Sequence, residues 1–149
     1  MIFSCPFLPT LQAIWVELAN GVGAPFNTLG KTKLMKNNPA ISSTTTLADI
    51  DEADFSGYSE TVSNDVPFIF FDVQEQKWVL HFSPEVPGIV FTHNAAATTN
   101  IVYGIYVVDF AETVLLGVAK FDEPLTMANL DDLIDVGKLE WSLAGGIFQ

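Results

Sequence analysis

The side chains best suited to chemistry in this chain are carboxylates, and they come in two runs. In the stretch TLADIDEADFSGY (residues 46–58), Asp49, Asp51, Glu52 and Asp54 fall within six residues. Oxygen ligands this close together suit a hard cation, so Asp51, Glu52 and Asp54 are candidate calcium ligands. The run lacks the D-x-[DN]-x-[DN]-G order of an EF-hand loop, and a second reading competes. Thr46 followed three residues later by Asp49 approximates a capping box at a short helical turn. Leu47 and Ile50 would then lie on one side and Asp51, Glu52 and Asp54 on the other. The sequence favours this second reading: a solvated acidic turn that launches a strand, with no resident metal or cofactor. Gly57, between Phe55 and Tyr58, marks a bulge or a close neighbour.

The second run, NLDDLID, holds Asp131, Asp132 and Asp135. If the segment were helical, spacings of three and four would put Asp131 or Asp132 beside Asp135. Two carboxylates that close raise one another's pKa, as a carboxylate-pair hydrolase requires. An exposed turn between two strands is the simpler expectation. The two histidines, His81 and His93, could ligate a metal or act as a base. His81 alternates with Trp78, Leu80 and Phe82 on a strand pattern, His93 sits at a strand end, and no G-x-S-x-G nucleophile motif accompanies either. Cys5 has no base near it in sequence. No catalytic residue is expected.

Composition narrows the partners. The 149 residues carry a formal net charge of -12, and all six basic residues are lysines. A chain without arginine is poorly equipped to hold a phosphate backbone or read base edges, so nucleic acid is not an expected partner. The same acidity disfavours an anionic membrane surface. The mean hydropathy is nevertheless positive. The apolar N-terminal stretch contains Pro6, Pro9 and Glu17 and has no lysine ahead of it, so it fits neither a signal peptide nor a membrane span. Surplus apolar surface buried against other chains accounts for the hydropathy instead. One cysteine excludes an intrachain disulfide.

These residues must be positioned by strands. One helix is expected, in PTLQAIWVELANG: Thr10 can cap it, Leu11, Ile14, Trp15 and Leu18 share a face, and Asn20-Gly21 can stop it. Beyond residue 30 the pattern is β. Ten strand-like stretches, at 32–36, 55–63, 66–73, 77–83, 88–93, 100–110, 113–121, 125–127, 133–136 and 139–144, supply the expected eight or nine strands, with hairpins at Gln74–Gln76 and at Ala111-Glu112. Segments 100–110 and 113–121 are apolar on both faces, which places them centrally in a sheet covered from both sides. The fold class is all-β: an antiparallel β-sandwich, jelly-roll-like or Ig-like, of eight or nine short strands with a short N-terminal helix. Residues 1–30 form a helix or arm and residues 31–149 the β-sandwich domain. In the arm, Phe3, Phe7, Leu11, Trp15 and Phe26 are candidate contacts to a neighbouring subunit.

Three segments follow one another along the chain: TLADIDEADFSGY, YGIYVVD and LLGVAKFDEP. In pattern and spacing they resemble small virion-associated structural proteins of tailed bacteriophages, over residues 30–127. The resemblance implies a non-enzymatic virion protein, most simply a capsid decoration or cement protein assembled in the host cytoplasm. It would bind the major capsid protein or other virion proteins as a homo-oligomer, a trimer. A tail-associated role, as adaptor or fibre base, is the nearest alternative. A carbohydrate-binding module or glycan hydrolase is the alternative of another class. It would use Trp78, Tyr103, Tyr106 or Trp141 as sugar platforms and Asp131 or Asp135 as acid.

Overall fold

A computed structural model of the chain describes residues 31–42, 44–62, 68–72, 74, 77–81, 89–95, 98–109, 111–137 and 140–143. The expected N-terminal helix, the arm residues Phe3, Phe7, Leu11, Trp15 and Phe26, and Cys5 lie outside these. The described residues form nine strands: β1 (Lys31–Met35), β2 (Thr61–Val62), β3 (Phe68–Asp72), β4 (Lys77–His81), β5 (Ile89–Thr92), β6 (Asn100–Val108), β7 (Leu115–Met127), β8 (Leu133–Gly137) and β9 (Glu140–Leu143). A single turn of 3-10 helix, Leu47–Asp49, precedes β2. All pairings are antiparallel, in three sheets ordered β2-β1-β6-β7, β3-β4-β9 and β5-β8. The protein is thus a mostly-β chain of antiparallel sheets, as the alternating pattern predicts.

The four-stranded sheet is apolar on both faces. On one face Leu34, Ile105, Val107 and Ala119 pack with Ile89, Phe91, Ile134 and Val136 of β5 and β8, and with Ala53 and Phe55. On the other, Met35, Tyr106, Val108, Leu115 and Val118 are covered by Ile41, Leu47 and Ile50. Leu47, in the 3-10 turn, and Ile50, its C-cap, do pack on the same cluster, as expected. At about 25 cal/mol per Å² of apolar surface removed from water, burial on two faces strongly stabilises β6. The double cover agrees with the sequence, but of the two segments expected to be central only β6 is an interior strand. The strand expected at 113–121 joins the one expected at 125–127 as β7, which forms the edge.

The strand expected at 55–63 is a correction. Only Thr61–Val62 is strand. Residues 55–58 turn instead, with the Tyr58 N–H donating to the Phe55 carbonyl at 3.0 Å and Gly57 at φ 88°. A left-handed glycine cannot continue a strand, and alternation of side-chain type is blind to it.

The β6–β7 ladder is irregular. Val102 pairs with Leu125 and Gly104 with Lys120. Between those pairs β6 advances two residues and β7 five, so β7 carries three residues more than its partner there. An odd offset exchanges the two faces of a strand. Val102 accordingly joins the cluster of Ile105 and Val107, and Tyr103 packs with Tyr106 and Val108. Pro124, which has no N–H to give a ladder, falls in this interruption. Gly104 sits at its end. A Cβ there would lie 2.1 Å from the Ala119 carbonyl oxygen and 2.8 Å from the Lys120 Cα. Both obstacles are backbone, so the strands would have to separate. Gly104→Ala should therefore lower stability by about 3 kcal/mol or more, read as a loss of unfolding free energy in urea titrations. A variant that unfolds within about 0.5 kcal/mol of the parent would show that the strands are not this close.

Candidate functional site

The highest density of paired charge in the described residues lies along β1. The sequence KTKLMK puts Lys31 and Lys33 on the same side of the strand, toward Val108 and Tyr106 of β6. Lys33 is only 5% exposed. A buried ammonium needs acceptors, because an unpaired one costs several kcal/mol. Two carboxylates meet it: Glu52 at 3.0 Å, and Glu112. Glu112 also bonds Lys31, which holds Glu60 at 3.3 Å. The result is a chain of alternating charge, Glu60, Lys31, Glu112, Lys33 and Glu52. It continues through the Tyr58 hydroxyl, which donates to Glu52 at 3.0 Å and accepts from the Leu34 N–H at 3.1 Å.

Two local structures place these acids. The acidic run lies along the edge of β1 beyond the end of β2. Lys36 N–H donates to the Asp51 carbonyl at 2.8 Å, Ala53 N–H to the Leu34 carbonyl at 2.9 Å, and Met35 bridges Glu52. The 3-10 turn that introduces it is held by Asp49, whose carboxylate accepts from the Thr46 N–H at 2.8 Å and the Thr46 hydroxyl at 2.9 Å. Glu112 comes from the β6–β7 hairpin. There Asp109 accepts from the N–H groups of Thr113 and Val114, both at 2.7 Å, and the tight turn leaves Glu112 at φ 57°. A non-glycine residue in this left-handed region is strained by about 1 kcal/mol or more. The strain is offset by the two lysines its carboxylate reaches.

The electrostatics follow. The Lys31 and Lys33 hydrogen bonds hold the Glu112 carboxyl below its usual range. The backbone N–H of Glu60 itself and then Lys31 do the same for Glu60. For Lys33, burial pulls the ammonium down, but the Glu112 and Glu52 hydrogen bonds outweigh it and the net direction is up. Lys31 is raised, first by Glu112. Burial, and then the nearby Glu52 carboxylate, push the Tyr106 phenol up. These shifts favour the ordinary neutral-pH states: charged Lys31 and Lys33, charged Glu60 and Glu112, and a neutral Tyr106. A protonated lysine is not a nucleophile or a Schiff-base former, and a carboxylate held ionised is not a general acid. The arrangement binds strands together.

The candidate calcium ligands do not converge. Glu52 is engaged with Lys33 and Tyr58. Asp54 is engaged with Lys36 at 2.8 Å and with the Asn100 side chain at 2.9 Å. Among the described residues no group of three or more His, Cys, Asp or Glu is arranged to hold a metal. The carboxylate pair expected of a helical NLDDLID does not form either. Leu133–Gly137 is strand β8, and Asp132 turns its carboxylate onto the N–H groups of Ala128 and Asn129 at 2.8 and 2.7 Å. Asp131 lies in that turn at φ 68°. Of the supposed sugar platforms, Tyr106 is buried in the core beside Lys33 and Tyr103 is half-buried against the same cluster. The side chains of Trp78, Trp141 and His81 lie outside what the structure describes. His93 is fully buried and stacks on Phe55 at 5.5 Å. Its Nε2 is 2.8 Å from the Thr98 carbonyl, and its Nδ1 has no partner. Among the described residues no helix is long and apolar enough to cross a membrane.

The lysine network was not anticipated from sequence. A signal existed: Lys31 and Lys33 at strand spacing, and an acidic run able to pair antiparallel with them. The hairpin acid, Glu112, had no such cue. No family model, curated protein or solved structure matches the chain.

Lys33→Ala leaves Glu52 and Glu112 facing a hole. Because both carboxylates keep contact with water, the loss should be about 2–3 kcal/mol, below the full cost of a stranded buried charge. Urea denaturation measures it, and a loss under about 0.5 kcal/mol would mean the pairs are ornamental. The pH dependence has a fixed sign. Glu112 and Glu60 are depressed in the folded state, so their contribution is present above their ordinary value of 4.5 and is lost as pH falls through the lower folded values. Lys31 and Lys33 are raised, so theirs is complete below 10.5 and is lost as pH climbs through the higher folded values. The stability difference between the parent and Glu112→Gln should therefore be level from about pH 5 to 10 and shrink on either side.

Proposed function

We propose that this chain is a non-enzymatic, virion-associated structural protein of a tailed bacteriophage, and that it decorates the outer shell as an oligomer. A homotrimer seated on the major capsid protein is the simplest form, with residues 1–30 as the arm that contacts a neighbour. In this reading the four-stranded sheet and the β5–β8 pair are the facing layers of a β-sandwich, with their shared apolar cluster as its core.

One observation carries the reading. The acidic segment that looks most like chemistry, residues 46–58, is used to pin β1. Its Asp49, Glu52 and Asp54 are each engaged with a threonine or lysine of the same chain. Such a segment supports a part whose job is to hold shape. The resemblance of TLADIDEADFSGY, YGIYVVD and LLGVAKFDEP to phage virion proteins supplies the biological setting, and an arginine-free chain of charge -12 suits a place away from the packaged genome. Exposed Val90, Leu130 and Leu133 offer apolar surface for lodging among subunits.

A tail position rests on the same observations, so separated heads and tails must be assayed individually by mass spectrometry. The chain should be found with heads at a fixed ratio to the major capsid protein. Recovery only with tails moves the assignment there, and absence from both removes it. The glycan alternative is disfavoured by the burial of Tyr106. A variant lacking residues 1–20 should keep its β circular dichroism but attach to particles at least about tenfold more weakly. Normal attachment would refute the arm.

A further inference from the structure

The interruption in β7 has a second role beyond exchanging faces, and it lies on the side of the strand turned away from β6. Among the described strands β7 ends its sheet, with β6 on one side only. An edge strand of 13 residues presents a long row of outward N–H and C=O groups. Such an edge is a template for a second copy, and apolar side chains stand beside it: Leu125 is 40% exposed and Ile101, paired with Thr126, is 49% exposed.

Residues Phe121–Thr126 nonetheless carry features that oppose pairing. The three extra residues of β7 fall within this stretch, between Lys120 and Leu125. Phe121 is half-buried against the apolar cluster and fixes one end of the interruption, while Asp122, Glu123 and Pro124 are exposed. Pro124 has no N–H to offer on either flank and fixes its own φ, so the strand around it is poorly suited to regular pairing. Two acids side by side would meet the same two acids of an antiparallel copy, and like charges opposite one another oppose pairing. A strand that runs straight up to this point meets a bulge, a proline and a charge clash.

We propose that Asp122-Glu123-Pro124 is a guard that keeps the β7 edge from pairing with a second copy of this chain. Any assembly the protein enters then uses other surfaces. The inference does not depend on the proposed virion role, since it concerns self-pairing of the isolated chain.

Two full-length variants test it. One deletes residues 122–124, which removes the three extra residues and with them the exchange of faces, so Val102 and its neighbours must repack. The other, Asp122→Thr with Glu123→Thr and Pro124→Val, keeps the chain length and alters only exposed positions, so it decides the matter if the deletion does not fold. Sedimentation over a concentration series should show self-association strengthened at least about tenfold over the parent. Hydrogen exchange in the associated form should slow at residues 121–126 in the substituted variant, and at 121, 125 and 126 in the deletion. Association within twofold of the parent, or stronger association with no added protection at 121–126, overturns the guard.

Discussion

A lysine ammonium on the inner side of a sheet is the constraint that organises this molecule. Lys33 lies in β1 with an exposure of only 5%. Its charge cannot be left among Met35, Tyr106 and Val108 without acceptors. Meeting that demand fixes where the acidic run lies and how the β6–β7 turn is shaped. It also gives Tyr58 its position, since the phenol joins Glu52 to the Leu34 N–H at the edge of β1. Replacing the ion pairs by apolar groups of similar volume could be as stable. What the charges add is register: Glu112 reaches both lysines only when β1 and the hairpin are aligned as they are.

The two β-turns flanking β7 share a device. Asp109 accepts from N–H groups downstream of it and Asp132 from N–H groups upstream, and each turn holds one acidic residue at positive φ. Short acidic side chains compete with regular backbone pairing and so close turns tightly. For Asp132, the Asn129 and Ala128 amides hold the carboxyl below its usual range. For Asp109, burial pushes up, but the Val114 and Thr113 donors outweigh it. Much of the acidity that suggests catalysis on first reading is turn chemistry.

The all-β class, seven of the nine strands to within a few residues, and the capping turn at Thr46 were legible in the sequence, because each depends on neighbours within a few residues. The strand expected at 55–63 failed at Gly57, whose left-handed backbone leaves no trace in side-chain alternation. The union of 113–121 with 125–127 was hidden because Pro124 reads as a break, whereas the ladder interruption accommodates it. The Lys31, Lys33 and Glu112 network depends on partners about 80 residues apart, and only the register of β1 on β6 brings them together. Gly104 could be read as a weak strand residue, but its need for closeness to Ala119 could not.

The register lock has a mechanical side. β1 is hydrogen-bonded antiparallel on both flanks, and its first residues are tied sideways by Glu60 and Glu112. Tension entering the domain through the backbone ahead of Lys31 would run along the strand axis. It would load those bonds together, in shear, and not peel them open singly. A strand gripped in that manner is a sound point from which to hang a load.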